Sequence, residues 1–208
     1  MGNFETNRNP EEQPEKKLSF AQTLLEYAHD MIYILAAVLV MFTFLMRIVV
    51  VSGDSMFDTL VDGDYLLLVN NPICGQLEQG DIVVASMDRF RNGEAIVKRV
   101  IATEGQTVDI DFRNGIVYVD GEALNETYTY TNTNISEGME FPLVVEDGCL
   151  FLMGDNRNES MDSRNPSIGL VDEREILGKA VFLLMPGDGT WKHPVQRDFT
   201  RIGGLNNG

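Results

Sequence analysis

The sequence contains two histidines, and neither lies where it would serve a serine nucleophile. A serine hydrolase needs a base that accepts the hydroxyl proton, and histidine is the usual one. His29 precedes a long apolar stretch, and His193 lies near the C-terminus with no acidic motif beside it. A Ser-His-Asp arrangement therefore has little support. No His, Cys, Asp or Glu group has the spacing of metal ligands, so we expect no metal and no cofactor.

Lysine is the remaining candidate for the base, and Lys98 is the lysine whose surroundings suit that role. A free lysine has a pKa of ~10.4 and is a cation at neutral pH, but burial among apolar groups lowers this pKa. In AIVKRVI, strand alternation places Ile96, Lys98 and Val100 on one face. Taken alone, the segment favours the alternative of an exposed Lys98–Arg99 pair on an edge strand.

Lys98 also belongs to an ordered set of sequence blocks that follow the apolar stretch. The blocks are SGDSMFDTL (52–60), QGDIV (79–83), VKRVIATEG (97–105) and GDNRNESMDSR (154–164). The last block is highly specific, and the ordered set is more specific still. With this set the chain resembles the bacterial type I signal peptidases, also called leader peptidases. The resemblance extends from the apolar stretch to about Gly178.

The resemblance implies roles for five residues of these blocks. Ser55 matches the serine that attacks the scissile carbonyl, and Lys98 matches the general base. Ser160 matches a serine that hydrogen-bonds the lysine and orients it. Asp162 and Arg164 match positions that shape the site by ion pairing, a role that overlaps with plain structural stabilisation. Neutral Lys98 would accept the proton of Ser55, and would then activate the water that releases the acyl-enzyme.

The surroundings of the nucleophile depart from the family pattern at two positions. The backbone N–H of Ser55 can donate to an oxyanion. Many family members carry a hydroxyl two residues earlier, where this chain has Gly53, as Gram-positive members often do. Any contribution from Gly53 must therefore come from its main chain. Asp58 replaces a proline of the family and brings a carboxylate close to Ser55.

The resemblance implies secretory preproteins as substrates, cut after small residues in an Ala-x-Ala pattern. An extended peptide that docks against a strand gains main-chain hydrogen bonds. By resemblance, shallow pockets would be lined by Val51, Met56, Leu60, Ile96 and Val97, each of which could equally be an ordinary core residue. The other expected partners are membrane lipid and, as a hypothesis, a nearby secretion translocon.

The apolar stretch at residues 31–51 has the length and composition of a transmembrane anchor. A core helix is rarely apolar on all faces. A cleavable signal peptide is disfavoured, because the preceding region is long and acidic and no small-x-small site follows. Lys16 and Lys17 favour a cytoplasmic N-terminus, although Arg47 blurs that signal. We expect a single-pass plasma-membrane protein, with residues 1–30 as a cytoplasmic tail and the catalytic domain outside.

Residues after this anchor have the pattern of a mainly β domain. Short runs rich in Val, Ile, Leu and Tyr alternate with Gly, Asp and Asn, without helical runs between them. They predict strands at 64–69, 81–86, 95–102, 107–112, 115–120, 149–154 and 178–185. We expect a signal-peptidase-like β-domain of packed or partly closed antiparallel sheets over 52–186. It would contain a small inserted subdomain at about 106–147 and be followed by an irregular C-terminal tail at 187–208.

The composition excludes one class of partner. The formal net charge is -16, from 32 acidic and 16 basic residues, which opposes nucleic-acid binding. Cys74 and Cys149 lie far apart in no metal-type spacing, and we interpret them as two small buried residues rather than a disulfide. A disulfide stays possible for a domain outside the cytosol.

Two other functions compete with the peptidase interpretation. Self-cleaving repressor-type proteins share the Ser/Lys chemistry, but they carry a DNA-binding domain instead of a membrane span, and no basic segment is visible here. A catalytically inactive, membrane-anchored β-protein is supported only by Asp58. The joint presence of Ser55, Lys98 and Ser160 argues against it.

Overall fold

A computed structural model describes residues 20–71 and 73–205. The chain divides after Val40 into two compact units. The first contains a single described helix, α1 (Phe20–Val40). The predictions made for residues 1–19 lie outside the described residues.

Helix α1 continues as a short π-helical segment, Met41–Leu45. Within this region, Gln22–Leu45 is long and apolar enough to cross a membrane, by length and composition. Its 24 residues would extend about 36 Å at ~1.5 Å per residue, against a hydrocarbon core of about 30 Å. Its large apolar side chains are exposed, as Met31 at 71% and Tyr33 at 70% show, so the helix is not a core helix of the protein.

The observed helix begins and ends earlier than predicted. Its described part includes residues 20–30, which were predicted to belong to the N-terminal tail. The prediction that the anchor reaches residue 51 is wrong, because strand β1 (Met46–Val50) pairs antiparallel with β2 (Tyr65–Asn70). Apolar β-branched residues suit a strand as well as a helix, and here the available partner strand decides.

The second unit is built on a large antiparallel sheet. Its strands are β1, β2, β3 (Ile82–Ser86), β4 (Ala95–Ala102), β9 (Cys149–Met153), β10 (Val171–Asp172), β11 (Ile176–Met185) and β12 (Gly203–Gly204). Their order is β1-β2-β11-β3-β4-β9-β10, with β12 paired to β11. A 3-10 turn at Glu173–Glu175 leads into β11.

A smaller sheet is formed by β5 (Thr107–Asp111), β6 (Ile116–Val119), β7 (Glu122–Ala123) and β8 (Leu143–Val144), in the order β7-β6-β5-β8. These strands occupy the region in which a small insertion was predicted. The two sheets confirm the predicted mainly β fold of packed antiparallel sheets.

The core lies on both faces of the central strand β3. Val83 and Ala85 belong to one buried cluster, and Ile82 and Val84 belong to another. Alternation along a strand sends successive side chains to opposite faces, so both faces of β3 are covered. A third cluster joins the small sheet to the large one. This double burial explains why the β3 run is continuously apolar.

The described C-terminal residues are irregular over most of 187–198, but not throughout. They include a 3-10 turn, Phe199–Arg201, and strand β12. Arg201 contacts the buried carboxylate of Asp64 at 2.8 Å. These two elements depart from the predicted irregular tail. Their contacts join distant parts of the chain, and no local periodicity indicates them.

Cys74 and Cys149 are free thiols rather than a disulfide, but both are half-buried, so the prediction that they are buried is wrong. Burial raises the pKa of both thiols.

Candidate active site

Ser55 and Lys98 meet at hydrogen-bond distance. Lys98 Nζ lies 2.7 Å from Ser55 Oγ and 3.0 Å from the carbonyl oxygen of Val97. Strand β4 carries Lys98 into the interior, where it is 3% exposed. The alternative of a surface lysine is therefore wrong. A buried strand position is what an unprotonated amine requires.

The electrostatics at Lys98 favour the neutral amine. Burial lowers the pKa of Lys98 from 10.5 to about 8. The carboxylates of Asp162, Asp155 and Glu137 act in the opposite direction and favour the cation. Within the described part of the chain, no carboxylate forms an ion pair with Lys98, so desolvation prevails.

The last sequence block, residues 154–164, contacts the loop that carries Ser55 and holds it in place. Asn156 donates from its backbone N–H to the carbonyl of Ser55 at 3.0 Å, and from its side chain to the carbonyl of Asp54 at 3.1 Å. A Cβ on Gly154 would overlap the backbone oxygen of Ser55 and the hydroxyl of Ser160. Glycine at 154 therefore lets this strand end approach both serines.

Ser160 lies in the same cavity, but it does not contact Lys98 by a hydrogen bond in this structure. Its Oγ is buried and finds no partner among the described residues. The Lys98 amine is engaged by Ser55 and by the Val97 carbonyl instead. The orienting role of Ser160 stays a prediction.

The two candidate oxyanion donors differ in availability. The Ser55 N–H has no acceptor among the described residues. The Gly53 N–H donates to Asp62 Oδ1 at 2.7 Å, so it is not free for an oxyanion. Gly53 has a φ of 88°, which glycine adopts readily. Asp58 is exposed and makes no described contact with Ser55.

Buried ion pairs surround the dyad without entering it. Arg99 binds Asp155 through two hydrogen bonds of 2.9 and 2.7 Å, and it donates to the carbonyl of Gly80 at 2.8 Å. This contact explains the QGDIV block, because it connects the start of β3 to β4. Arg164 pairs with Asp162 at 2.8 Å, which is the ion pair that the resemblance implied. All four charged side chains are buried.

A cavity of about 580 Å³ opens beside the dyad. Val51, Ile96 and Val97 line it, and their role in binding substrate stays a prediction. Met56 and Leu60 are fully buried in the core cluster behind it and do not line the cavity. Apolar composition alone does not separate a pocket wall from the core behind it.

Several charged residues of the cavity wall were not predicted from the sequence. They include Arg91 and Glu94 before β4, Glu137 from the loop before β8, and Glu159 beside Ser160. Glu159 lies inside the most specific block, GDNRNESMDSR, and this position is a sequence signal that it lies near the site. Glu137 carried no local signal. It contacts Arg164 at 3.5 Å, and burial raises its pKa.

His193 differs from the prediction in one respect. The structure places an acid near it, with His193 Nε2 3.7 Å from Glu159 Oε2. Asp54 joins them, and these three residues form a described group whose ligand atoms lie within 4.8 Å of one another. Nε2 has no hydrogen-bond partner in the described chain, so His193 does not hold the Ser55 hydroxyl.

The chain is similar to known proteins of one family. The family model described as "Signal peptidase, peptidase S26" matches residues 24–185. Signal peptidase I of Bacillus amyloliquefaciens is 35% identical over 80% of this chain and 88% of its own. Signal peptidase I T of Bacillus subtilis (strain 168) is 35% identical over 88% of this chain and 94% of its own. A crystal structure of a signal peptidase I from Enterococcus faecalis V583 is 28% identical, with a TM-score of 0.41 and coverage of 50% of this chain and 96% of that one.

The chain therefore belongs to the signal peptidase family, peptidase S26, and is a serine endopeptidase of the signal peptidase I type.

Proposed function

We propose that this peptidase removes N-terminal signal peptides from secretory preproteins through an acyl-enzyme on Ser55, with Lys98 as general base. The observation that carries the proposal is the 2.7 Å contact between Lys98 Nζ and Ser55 Oγ, made by a buried lysine whose pKa is lowered to about 8. A substantial fraction of such a lysine is neutral near physiological pH, as a general base must be.

The reaction proceeds in two steps. Neutral Lys98 takes the hydroxyl proton while Ser55 Oγ attacks the scissile carbonyl, and the same proton then leaves with the new amino terminus. Lys98 next accepts a proton from water, whose oxygen attacks the acyl carbon. The same proton passes from Lys98 to Ser55 Oγ as the ester bond breaks and the new carboxyl terminus leaves. The unoccupied N–H of Ser55 stabilises the oxyanion in both steps. Because the Gly53 N–H is bound to Asp62, a second donor comes from another group.

The substrate binds as an extended segment along the first half of β4. Strand β9 pairs with β4 only from Arg99 onward, so residues 95–98 have an open edge on that side among the described strands. A peptide there gains main-chain hydrogen bonds. Val51, Ile96 and Val97 leave room for small side chains beside Ser55, which supports a preference for Ala-x-Ala sites.

The apolar helix anchors the enzyme as a single span, with the N-terminus in the cytoplasm and the catalytic domain outside. Ser55 follows the candidate span closely in the sequence, which supports cleavage at the membrane surface, next to lipid and near the translocon. Protease protection in oriented vesicles tests this topology. Digestion of the β-domain from the cytoplasmic side would contradict it.

A cleavage assay with purified protein tests the chemistry. Wild type should cut a preprotein with an Ala-x-Ala site and spare the same preprotein with leucines at the two alanines. Ser55→Ala and Lys98→Ala should be inactive, while Ser167→Ala, an exposed serine, should match wild type. An inactive wild type would favour the alternative of a catalytically inactive, membrane-anchored β-protein. A normally active Ser55→Ala or Lys98→Ala would refute the mechanism.

A further inference from the structure

Three potential metal ligands meet at the edge of the catalytic loops. Asp54 immediately precedes Ser55, Glu159 immediately precedes Ser160, and His193 comes from the C-terminal part of the chain. One donor atom from each lies within 4.8 Å of the other two. The proposed peptidase chemistry uses none of the three.

The spacing of the donor atoms fits ligands around one ion better than it fits a hydrogen bond. His193 Nε2 and Glu159 Oε2 are 3.7 Å apart, which is beyond normal hydrogen-bond distance. Ligands at about 2.0–2.2 Å from a tetrahedral ion lie about 3.4 Å from each other. Nε2 is also buried and lacks any hydrogen-bond partner among the described residues. A buried ring nitrogen that lacks a hydrogen-bond partner can be satisfied by a bound metal ion.

The loop that carries His193 is held in place before any ion binds. Gly189 and Pro194 form a β-bridge that closes this loop. Thr190 donates its hydroxyl to the Asp54 carboxylate, at 2.7 Å from Oδ2 and 2.9 Å from Oδ1. The imidazole of His193 stacks on Phe57, with ring centroids 4.4 Å apart. Two of the three side chains are therefore held in orientation by neighbours, as the ligands of bound metal ions commonly are.

We propose that Asp54, Glu159 and His193 bind one divalent transition-metal ion, of which Zn²⁺ fits best. One imidazole nitrogen and two carboxylate oxygens suit Zn²⁺, whereas Ca²⁺ and Mg²⁺ prefer oxygen ligands alone. Water completes the coordination. The ion ties the C-terminal loop to the two loops that carry Ser55 and Ser160, so it stabilises the folded domain.

One neighbouring cation competes with the ion. Lys192 Nζ lies 3.2 Å from Glu159 Oε2 and neutralises part of the charge of the carboxylate pair. Binding of a divalent ion displaces this ammonium from Glu159. Removal of Lys192 should therefore strengthen metal binding. A cluster with only a structural role would not respond in this way.

Zinc titration of the full chain in detergent tests the site. The protein is stripped with a chelator and titrated with ZnCl₂ by calorimetry. We expect one equivalent to bind. Loss of a supporting contact at a metal site typically weakens binding about 10–100-fold, so loss of a ligand in His193→Ala or Glu159→Gln should weaken it at least as much. Lys192→Met should bind more tightly, and His29→Ala should equal wild type.

A Co²⁺ absorption spectrum provides a second measurement, since the bands of a four-coordinate nitrogen–oxygen site should disappear in His193→Ala. Glu159 is largely exposed, so Glu159→Gln carries the test if His193→Ala fails to fold. Unchanged binding in both variants overturns the proposal, as does weak binding of several equivalents, which would be adventitious ions only. These measurements need no turnover, so they stand whether or not the peptidase mechanism holds.

Discussion

The dyad and the ion-pair cluster beside it bury cations in opposite ways. Lys98 has a serine and a carbonyl as partners and, among the described residues, no paired carboxylate. The next residue, Arg99, is bound bidentately by Asp155 and lies over the ring of Tyr128. Arg157 and Arg164, also fully buried, have Glu126 and Asp162 as partners. Adjacent residues of β4 thus differ: Lys98 has the proposed role in the reaction, and Arg99 belongs to the ion-pair cluster.

The difference follows from the chemistry of the two side chains. Arginine does not lose its proton in proteins, so a buried arginine requires a paired anion. Lysine can release its proton, and burial without a paired anion lowers its pKa. A carboxylate placed against Lys98 would keep it charged and useless as a base. The absence of such a pair among the described residues is what makes the amine available.

The same contrast extends to the neighbouring hydroxyl and amide groups. Ser160 Oγ and the Ser55 N–H are unpartnered within the described structure, whereas the arginines of the cluster use most of their donors. Polar groups near the cavity that lack a partner can bind a reacting peptide, whereas groups already engaged in ion pairs cannot.

Replacing Lys98 by methionine should produce the largest effect. General-base catalysis contributes about 10²–10⁴-fold, so Lys98→Met should lose about that factor or more in kcat. Its free energy of unfolding near pH 7 should stay equal or rise, because the lowered pKa of Lys98 means that its buried amine destabilises the folded state at that pH. Cleavage kinetics and urea unfolding measure the two quantities. A variant that loses stability together with activity would contradict the contrast.

The methionine substitution at the next residue, Arg99, should lower the free energy of unfolding instead of preserving it. Arg99→Met leaves Asp155 buried without its partner, which should lower the free energy of unfolding by about 3–5 kcal/mol. Urea denaturation checks this, with Arg197→Met as the control. Arg197 pairs with Asp188 on the surface at 3.4 Å, so its loss should cost no more than about 1 kcal/mol. Equal losses in the two variants would contradict the prediction.

The rate of cleavage should depend on the protonation of Lys98. Below its pKa of about 8, kcat/KM should fall about tenfold per pH unit, because the neutral fraction of a single amine falls so. It should reach a plateau above that pH. A pH–rate profile with one preprotein substrate measures this, and a flat profile would exclude Lys98 as the base.

The stability of the wild type should carry the matching signature. The pKa of Lys98 is lowered in the folded state from 10.5 to about 8. Between these values the unfolded chain binds more protons, so the free energy of unfolding should rise with pH in that window. The rise should be missing in Lys98→Met. Unfolding curves of both proteins at a series of pH values isolate the contribution of this one lysine, and parallel pH dependences would contradict it.

The smallest effect is expected at Glu137. Its carboxylate favours protonated Lys98, so Glu137→Gln should move the rising limb of the pH–rate profile to lower pH. Glu140→Gln, an exposed position of the same loop, should leave the profile in place. A shift to higher pH in Glu137→Gln would contradict the electrostatic assignment.

Local pattern predicted much of the β-domain. The runs at 95–102 and 107–112 became β4 and β5, because alternation and β-branched residues act over a few neighbouring positions. The run 46–50 was misassigned, since its residues suit helix and strand equally and only pairing with β2 decides.

The sequence by itself determined the chemical inventory: an apolar stretch, a serine beside it, a lysine on an apolar strand and no histidine in a useful motif. The tertiary structure decided which of these groups meet. In the folded chain Lys98 contacts Ser55, the Gly53 N–H is bound to Asp62, and Asp54, Glu159 and His193 lie together. Ser160 Oγ has no partner in the described part of the chain. These outcomes depend on contacts between distant segments, which packing establishes and which no short-range periodicity encodes.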